Sequence, residues 1–455
     1  MAPRDMTGLV CTYQLRCLVR PARSELGNQE RLSVRRGIAP VLNRCDVVLG
    51  WDRRDHYSVR QIPLFKVFMS DEAVDAASGV LRSGYIGQGK QVDNFERDIS
   101  AFLQADYVLT TNSATSAEAL AYYMLKEPAL YKLATPFDPE QQSDLFQWPG
   151  LQDGDEVLAS PLTCTATNWP ILTNGIKIKW VDTCPITLGP DLDDLKRKLS
   201  PRTKLISIVH WGGYPVDLRA LYKIQRECQA KYGFFPLIVE DCAHALGSKF
   251  EGKPLGSHGN LATFSFQAIK HVTSVDGGLL VAPSQEFYRR GKLLRWYGID
   301  RESNRKDFRC EADIPEVGFK YHMNDVSAAI GQANLRSYDF ISQGFRRCSD
   351  YYRTHLAGVH GIELLQPLTP DRDFTPWLFS LAADRKSDFY NKMHDRGIVV
   401  SQVHERNDKH SCVKAYQAFL PSLDKICASL ICIPCGWWVN EEDMQYISDT
   451  IKEGW

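Results

Sequence analysis

Leu237-Ile238-Val239-Glu240-Asp241-Cys242-Ala243-His244 is the stretch whose reading decides the fold: a short apolar run that delivers an acid to its carboxyl end. A run this brief and this apolar reads as a strand buried on both faces. Just before it, Leu218 to Tyr232 has helical spacing, opening after Asp217 and closing before Gly233, and Leu205 to Val209 precedes that as another strand. Working outward, Glu156 to Ala159 and Ile178 to Val181 lie upstream, and Leu261 to Phe266 and Leu279 to Val281 lie downstream. From Ile62 to about Ala282 short strands therefore alternate with helices, the pattern of a mostly parallel sheet covered on both faces. The fold class is α/β.

Past about Asp339 the chain reads as a smaller α/β unit that ends in a helix from about Asn440 to Lys452. The expected organisation is a large domain over 61–338 and a small C-terminal domain over 339–455. Residues 1–60 carry 11 Arg, no Lys and 6 acids, a net +5 that leaves −6 for the remainder, and are expected to form a poorly ordered extension. Asp5, Glu25 and Glu30 argue against an organelle-targeting peptide, which is acid-poor. The segment from Lys126 to Gly150 holds Pro128, Pro136, Pro139 and Pro149 and reads as an inserted loop or broken helix.

A length of 455 residues suits about three domain units or one large two-domain enzyme. Hydrophobic residues at 44% and charged residues at 24% exclude wholesale disorder, collagen and coiled coil. With 54 basic and 55 acidic side chains, the whole chain has no charge excess to attract nucleic acid or a membrane surface. Val157 to Ile176 is long enough to span a bilayer but contains Pro161, Pro170, Asn168 and Asn174, so it does not read as a membrane helix. Thirteen scattered Cys, with no charged segment leading into an apolar one at the start, point to a reducing compartment, and the cytoplasm is expected.

In an open parallel sheet, ligands bind beyond the carboxyl ends of the strands, so polar residues that follow apolar runs are the candidates. The first group is Thr111 to Glu118, after the apolar run Tyr107 to Leu109, with Thr115 and Glu118 spaced as a capping box. A strand-to-helix turn of small and hydroxyl residues offers free N–H groups and a positive dipole end to a phosphate; taken alone, it reads as well as a capped helix with nothing bound. The second is Asp241 with His244. A carboxylate so placed holds a proton on a ring nitrogen, or simply caps the next turn. The third is Lys270 in Ser265-Phe266-Gln267-Ala268-Ile269-Lys270. An amine hemmed by apolar neighbours is desolvated and nucleophilic, whereas a surface lysine is neither. A phosphate cradle, an acid for a pyridine nitrogen and an amine for an aldehyde are together what pyridoxal 5'-phosphate requires. Ser265 stands ready to donate to the phosphate.

These residues resemble the DegT/StrS family of sugar aminotransferases, from about Ile62 to Lys452. The resemblance rests on Ser83-Gly84-Tyr85-Ile86-Gly87-Gln88-Gly89, Asn112-Ser113-Ala114-Thr115-Ser116-Ala117, Glu240-Asp241-Cys242-Ala243-His244-Ala245, the Ser265 to Lys270 run, and Gly318-Phe319-Lys320-Tyr321-His322-Met323-Asn324-Asp325, in that order. It implies the fold-type I aminotransferase architecture, a large domain with a mostly parallel sheet plus a smaller C-terminal α/β domain. By motif position it implies that Lys270 carries the cofactor and moves protons, that Asp241 pairs with the pyridine nitrogen, and that Ala114, Thr115 and Ser265 bind the phosphate. His244 stands where the family often has Gln, and Lys320 where many members have an Asn that reaches the neighbouring subunit's phosphate. Cys164 replaces an aromatic that stacks on the ring. The family's sugar dehydratases have His where this chain has Lys270, which favours transamination. The resemblance further implies a keto-sugar substrate, nucleotide-linked, an amino-acid donor such as glutamate, and a homodimer.

Other features have two readings. Cys432 and Cys435 read as strand packing rather than half a zinc site, since no second pair stands at zinc spacing; no metal is expected. The run His404 to His410 suits either a sugar nucleotide or a solvated loop. Arg295, Trp296, Tyr297 and Arg301 suit a substrate phosphate, a dimer seat or a plain helical surface, and Trp437 and Trp438 suit packing. The rival functions are a catalytically silent cofactor- or sugar-binding regulator, a dehydratase on the same cofactor, and a nucleic-acid binder acting through residues 1–60.

Overall fold

Seven strands lie side by side in the order Val108–Thr111, Gly278–Val281, Leu261–Ser265, Leu237–Asp241, Thr203–Val209, Glu156–Ala159 and Lys177–Trp180. The computed structural model describes residues 60–132, 137, 145–303 and 313–455. Gly278–Val281 runs antiparallel to both of its neighbours, and the remaining pairs are parallel, so six strands point one way. Their carboxyl ends share one edge. Successive side chains of each strand enter different cores: Leu205, Val239 and Leu261 face one layer of helices, while Ile206, Ile238 and Ala262 face the other. That two-sided burial is why the strands are apolar throughout rather than alternating.

The helices start and stop where their ends are satisfied. Leu218–Tyr232 is capped by the Asp217 carboxylate, which accepts from the Ala220 amide at 2.8 Å, and it ends at Gly233, whose φ of 77° suits a residue without Cβ. Glu441–Lys452 opens with a capping box between Asn440 and Asp443. Past the long helix Tyr338–His355, the strand Phe379–Ala383 pairs antiparallel with Ile362–Leu364 and Leu430–Ile433. Ile62 joins this C-terminal part of the chain, donating its amide to Gly397 at 2.8 Å and accepting from Val399 at 3.0 Å. Side chains from it, including Phe345, Phe379 and Ile433, share one core with Leu120, Val239 and Leu280 of the large sheet's layer.

The segment from Lys126 to Gly150 differs from its reading as a loop or broken helix. Ala129–Lys132 and Leu145–Trp148 form an antiparallel hairpin, anchored where Trp148 Nε1 donates to the Leu125 carbonyl at 2.8 Å. Its four prolines lie outside both strands, which explains how the segment is both proline-rich and paired. The Arg-rich stretch 1–60, expected as a poorly ordered extension, lies outside the described residues except for Arg60, which pairs with Asp443. Among the described residues no helix is long and apolar enough to cross a membrane.

Candidate active site

Three strand ends assemble the site. Thr111, Gly278 and Ser265 occupy one rung across neighbouring strands, and Thr263, two residues before Ser265, pairs with Asp241 on the next strand. The turn after Thr111, the serine and the acid therefore sit on one edge because of strand register, although more than 120 residues separate the first from the second. Gly278 makes the approach possible. A Cβ there would lie 2.3 Å from the Ala114 nitrogen and from the Ser113 carbonyl, so only glycine lets this strand close against the turn.

The helix Ala114–Met124 begins at that turn, and its cap departs from the sequence expectation. Ser113 is the N-cap, its hydroxyl accepting from the Ser116 amide at 3.1 Å. The Thr115–Glu118 capping box does not form, because Glu118 points into the core and accepts from the Thr263 hydroxyl. Ala114 and Thr115 fall in the first turn, where amides have no intrahelical acceptor, and Thr115 is exposed. Ser265 Oγ accepts from the Gln267 amide at 3.3 Å and is 9% exposed.

Asp241 is buried at its strand's end. Its Oδ1 accepts from the Ala243 amide at 2.8 Å and its Oδ2 from the Thr167 hydroxyl at 2.6 Å, and Thr167 Oγ1 lies 2.8 Å from Thr163 Oγ1. Lys270 stands close enough for Asp241 and Cys164 to act on its charge. Burial outweighs both and pushes the amine down from 10.5 to about 8. The residue as a whole keeps some exposed surface, so the desolvation falls on the amine end, which lies 3.7 Å above the Trp377 ring.

Rings wall the lysine. Trp377 stacks on Phe65 at 5.1 Å and on His244 at 4.0 Å, and His244 lies parallel to His404 at 5.5 Å. Trp211 meets both histidines edge-on. His244 accepts the Gly212 amide at Nδ1, 3.3 Å away, which places its ring proton on Nε2. Burial first, then the charges of Lys270 and His404, hold its pKa well below 6.5, so the ring is neutral. His404 is likewise pushed down to about 4 by burial and Lys270.

The run His404 to His410 resolves into two jobs. Asn407 clamps it across the carboxyl end of Glu156–Ala159, donating to the Thr163 carbonyl at 2.8 Å, accepting from Asn168 at 2.9 Å, and reaching the Pro161 carbonyl through its amide at 2.8 Å. Arg406 pairs with Asp408 and Asp424. Only His404 turns to the lysine. Sequence reasoning missed Trp377, Trp211 and Thr167 as members of the site. The sole signal for Thr167 was its place after an apolar strand, and for Trp377 there was none.

Other expected residues stand elsewhere. Lys320 is exposed; its carbonyl accepts from Asn112 Nδ2 at 3.3 Å, beside the turn at Ala114. Cys164 sits at the N-cap position of the helix Thr165–Thr173, with no capping hydrogen bond from its side chain. Arg295 is neither a surface residue nor open to substrate: it is buried, paired with Glu96, and donates to the Thr110 carbonyl at 2.9 Å. The cleft beside it, about 880 Å³ and lined by Gln88, Glu96, Trp296 and Arg301, runs along the flank of Val108–Thr111, away from Lys270. Cys432 and Cys435 are buried in packing, and Trp438 donates to the Pro63 carbonyl at 3.0 Å. His210, Glu240 and Cys242 bring three metal-type donors together, but Val216 donates to His210 Nδ1 at 3.0 Å, and Nε2 faces Glu240 at 3.0 Å. Asn260 fills the other Glu240 oxygen, so protein partners already occupy the histidine and the glutamate of this trio.

The model of the DegT/DnrJ/EryC1/StrS aminotransferase family matches residues 68–130 and 145–452. Among solved structures, AtS13 from Actinomadura melliaura is 43% identical with a TM-score of 0.80, over 88% of this chain and 100% of that one. The sugar aminotransferase CalS13 from Micromonospora echinospora is 38% identical with a TM-score of 0.78, over 87% and 100%. A curated relative from Saccharopolyspora spinosa, the dTDP-4-dehydro-2,3,6-trideoxy-D-glucose 4-aminotransferase, is 27% identical over 86% of this chain and 96% of its own.

Proposed function

The chain belongs to the DegT/DnrJ/EryC1/StrS aminotransferase family, and on that premise we propose that it is a pyridoxal-phosphate enzyme moving an amino group from an amino acid, glutamate foremost, to the carbonyl of a nucleotide-linked keto sugar, for amino-sugar and polysaccharide biosynthesis. The observation that carries this reading is the convergence on one sheet edge of a desolvated amine, Lys270, a buried hydrogen-bonded acid, Asp241, and an open helix start at Ala114 and Thr115. The donor set fits the cofactor: each Asp241 oxygen accepts one hydrogen bond and keeps lone pairs for a ring nitrogen, and the glycine cradle at Gly278 brings three strands against the phosphate turn. The sugar substrate is supported by the relatives, one named for aminating a dTDP-keto sugar and another, from Bacillus subtilis, for spore coat polysaccharide biosynthesis.

Pyridoxal phosphate supplies an aldehyde that takes up an amine and a ring that draws electrons from the adjoining carbon. The chain's part is to place and protonate. Asp241, anchored by Thr167 and the Ala243 amide, would hold a proton on the ring nitrogen; Ala114, Thr115 and Ser265 would seat the phosphate; neutral His244 would offer its Nε2–H to the cofactor. Lys270, with a pKa of about 8, gives up and takes back a proton near neutral pH, which is what a base that shuttles between two carbons needs. Lys in this position, rather than His, favours transamination over dehydration because it can carry the cofactor and be regenerated each cycle. A cytoplasmic homodimer, with Lys320 reaching toward the partner's phosphate, completes the reading.

The test is nitrogen transfer. With ¹⁵N-glutamate and a panel of nucleotide-linked 4-keto-6-deoxy sugars, mass spectrometry is expected to find ¹⁵N in an amino-sugar nucleotide with wild type and none with Lys270→Ala. Loss of water from the sugar without nitrogen gain would replace this reading with the dehydratase.

A further inference from the structure

Glu118 presents a problem that no part of the proposed reaction solves. It lies on the inner face of the helix Ala114–Met124 and is 2% exposed. One oxygen, Oε1, accepts from the Thr263 hydroxyl; the other, Oε2, is buried and has no hydrogen-bond partner. No Lys, Arg or His pairs with it among the described residues, in contrast to Glu240, whose carboxylate is shared between His210 and Asn260. A bare carboxylate in such a place is far less favourable than a neutral carboxyl. The groups that face it make the ionised form worse. Across the Thr263–Asp241 rung stands the Asp241 anion; on its own helix is Tyr122; next to Asp241 is Cys242, and both the phenol and the thiol are kept neutral by burial. Burial and Asp241 both push the Glu118 pKa well above 4.5.

We propose that Glu118 stays protonated at neutral pH, and that by staying neutral it leaves the negative charge of the pair to Asp241 while tying the helix Ala114–Met124 to the strand that bears Ser265. Glu118 is thus a positioning residue. It acts through Thr263, which joins the helix to the rung next to Asp241, and not by touching substrate. The stretch Ala114 to Glu118 then has two ends with two tasks: amides at its start for a phosphate, and an uncharged carboxyl one turn later that sets the electrostatics of the acid. The part of the proposal that concerns Asp241 rests on the cofactor reading above; the protonation of Glu118 does not.

Two measurements on the full chain, supplied with pyridoxal phosphate, test it without turnover. In ¹³C-glutamate-labelled wild type at pH 8, infrared spectroscopy is expected to show a protonated-carboxyl stretch that is missing in Glu118→Gln. In Asp241→Asn that stretch is expected to titrate away at a lower pH than in wild type, since its anionic neighbour is gone. Urea unfolding between pH 6 and 8 supplies the second readout. Folded wild type keeps a proton that the unfolded chain releases, so raising the pH favours unfolding of wild type but not of Glu118→Gln. The ratio of their folding constants is expected to grow about tenfold per pH unit in favour of the variant. A flat ratio with no protonated-carboxyl stretch would overturn the proposal; a stretch indifferent to Asp241→Asn would overturn its link to Asp241. Failure of the cofactor reading would show separately, as no visible absorbance on adding pyridoxal phosphate.

Discussion

The Lys270 amine loses its proton easily because of where it lies, over the Trp377 ring and out of water, and the size of the effect sets its titration range. With a pKa of about 8, about one amine in ten is unprotonated at pH 7 and about nine in ten at pH 9, whereas an ordinary lysine at 10.5 would scarcely begin to lose its proton there. The part of the reaction of cofactor-free protein with a small aldehyde that is lost in Lys270→Ala is therefore expected to rise through a midpoint near pH 8; a midpoint above 10 would show the amine to be solvated. The sign carries over to stability. Because the folded amine gives up its proton first, the unfolded chain binds more protons between about 8 and 10.5, and this group favours the folded state increasingly as pH rises through that window. His244 and His404 beside it stay neutral throughout, so neither adds a second step near pH 7.

At the scale of elements, the site depends on strands being able to touch a turn. Gly278→Ala puts a Cβ 2.3 Å from backbone atoms of Ser113 and Ala114, and neither can retreat, since Ser113 caps a helix and Asn112 is tied to the Tyr321 carbonyl at 2.7 Å. We expect this variant to lose affinity for pyridoxal phosphate at least tenfold and to lower the melting temperature by several degrees, read by fluorescence titration and calorimetry; unchanged affinity would separate the cradle from the phosphate. The central strands were legible in the sequence because both of their faces are buried, which leaves a bare apolar run. The hairpin at Ala129–Lys132 and Leu145–Trp148 was not, since two four-residue strands beside four prolines carry too little pattern. The cap was misplaced for a similar reason. Ser113, Thr115 and Ser116 all suit an N-cap, and Glu118 has the spacing of a capping box; what turned it inward was Thr263, far away in sequence.

For the whole molecule, the decisive feature is that the C-terminal part of the chain completes a site begun by the large sheet. That Lys270, Asp241 and the turn after Thr111 come to one edge of the sheet was legible because each follows a strand in the first part of the chain, where position alone predicts the edge reached. Trp377 was not, and it enters just ahead of the strand Phe379–Ala383; His404 stood out only as part of a polar run, and it rides a loop that Asn407 clamps across Pro161 and Thr163. Nothing local says that either would face Lys270, because that placement comes from the C-terminal part of the chain packing against the large sheet's layer. The account as a whole makes one claim that everything else leans on, that Lys270 and Asp241 form a working cofactor site. The most direct measurement is the absorbance spectrum of the purified protein with pyridoxal phosphate, before and after glutamate, beside Lys270→Ala. A visible band in wild type that glutamate bleaches, and that is absent or unresponsive in the variant, is the predicted result. A folded wild type that shows no such band would contradict the account.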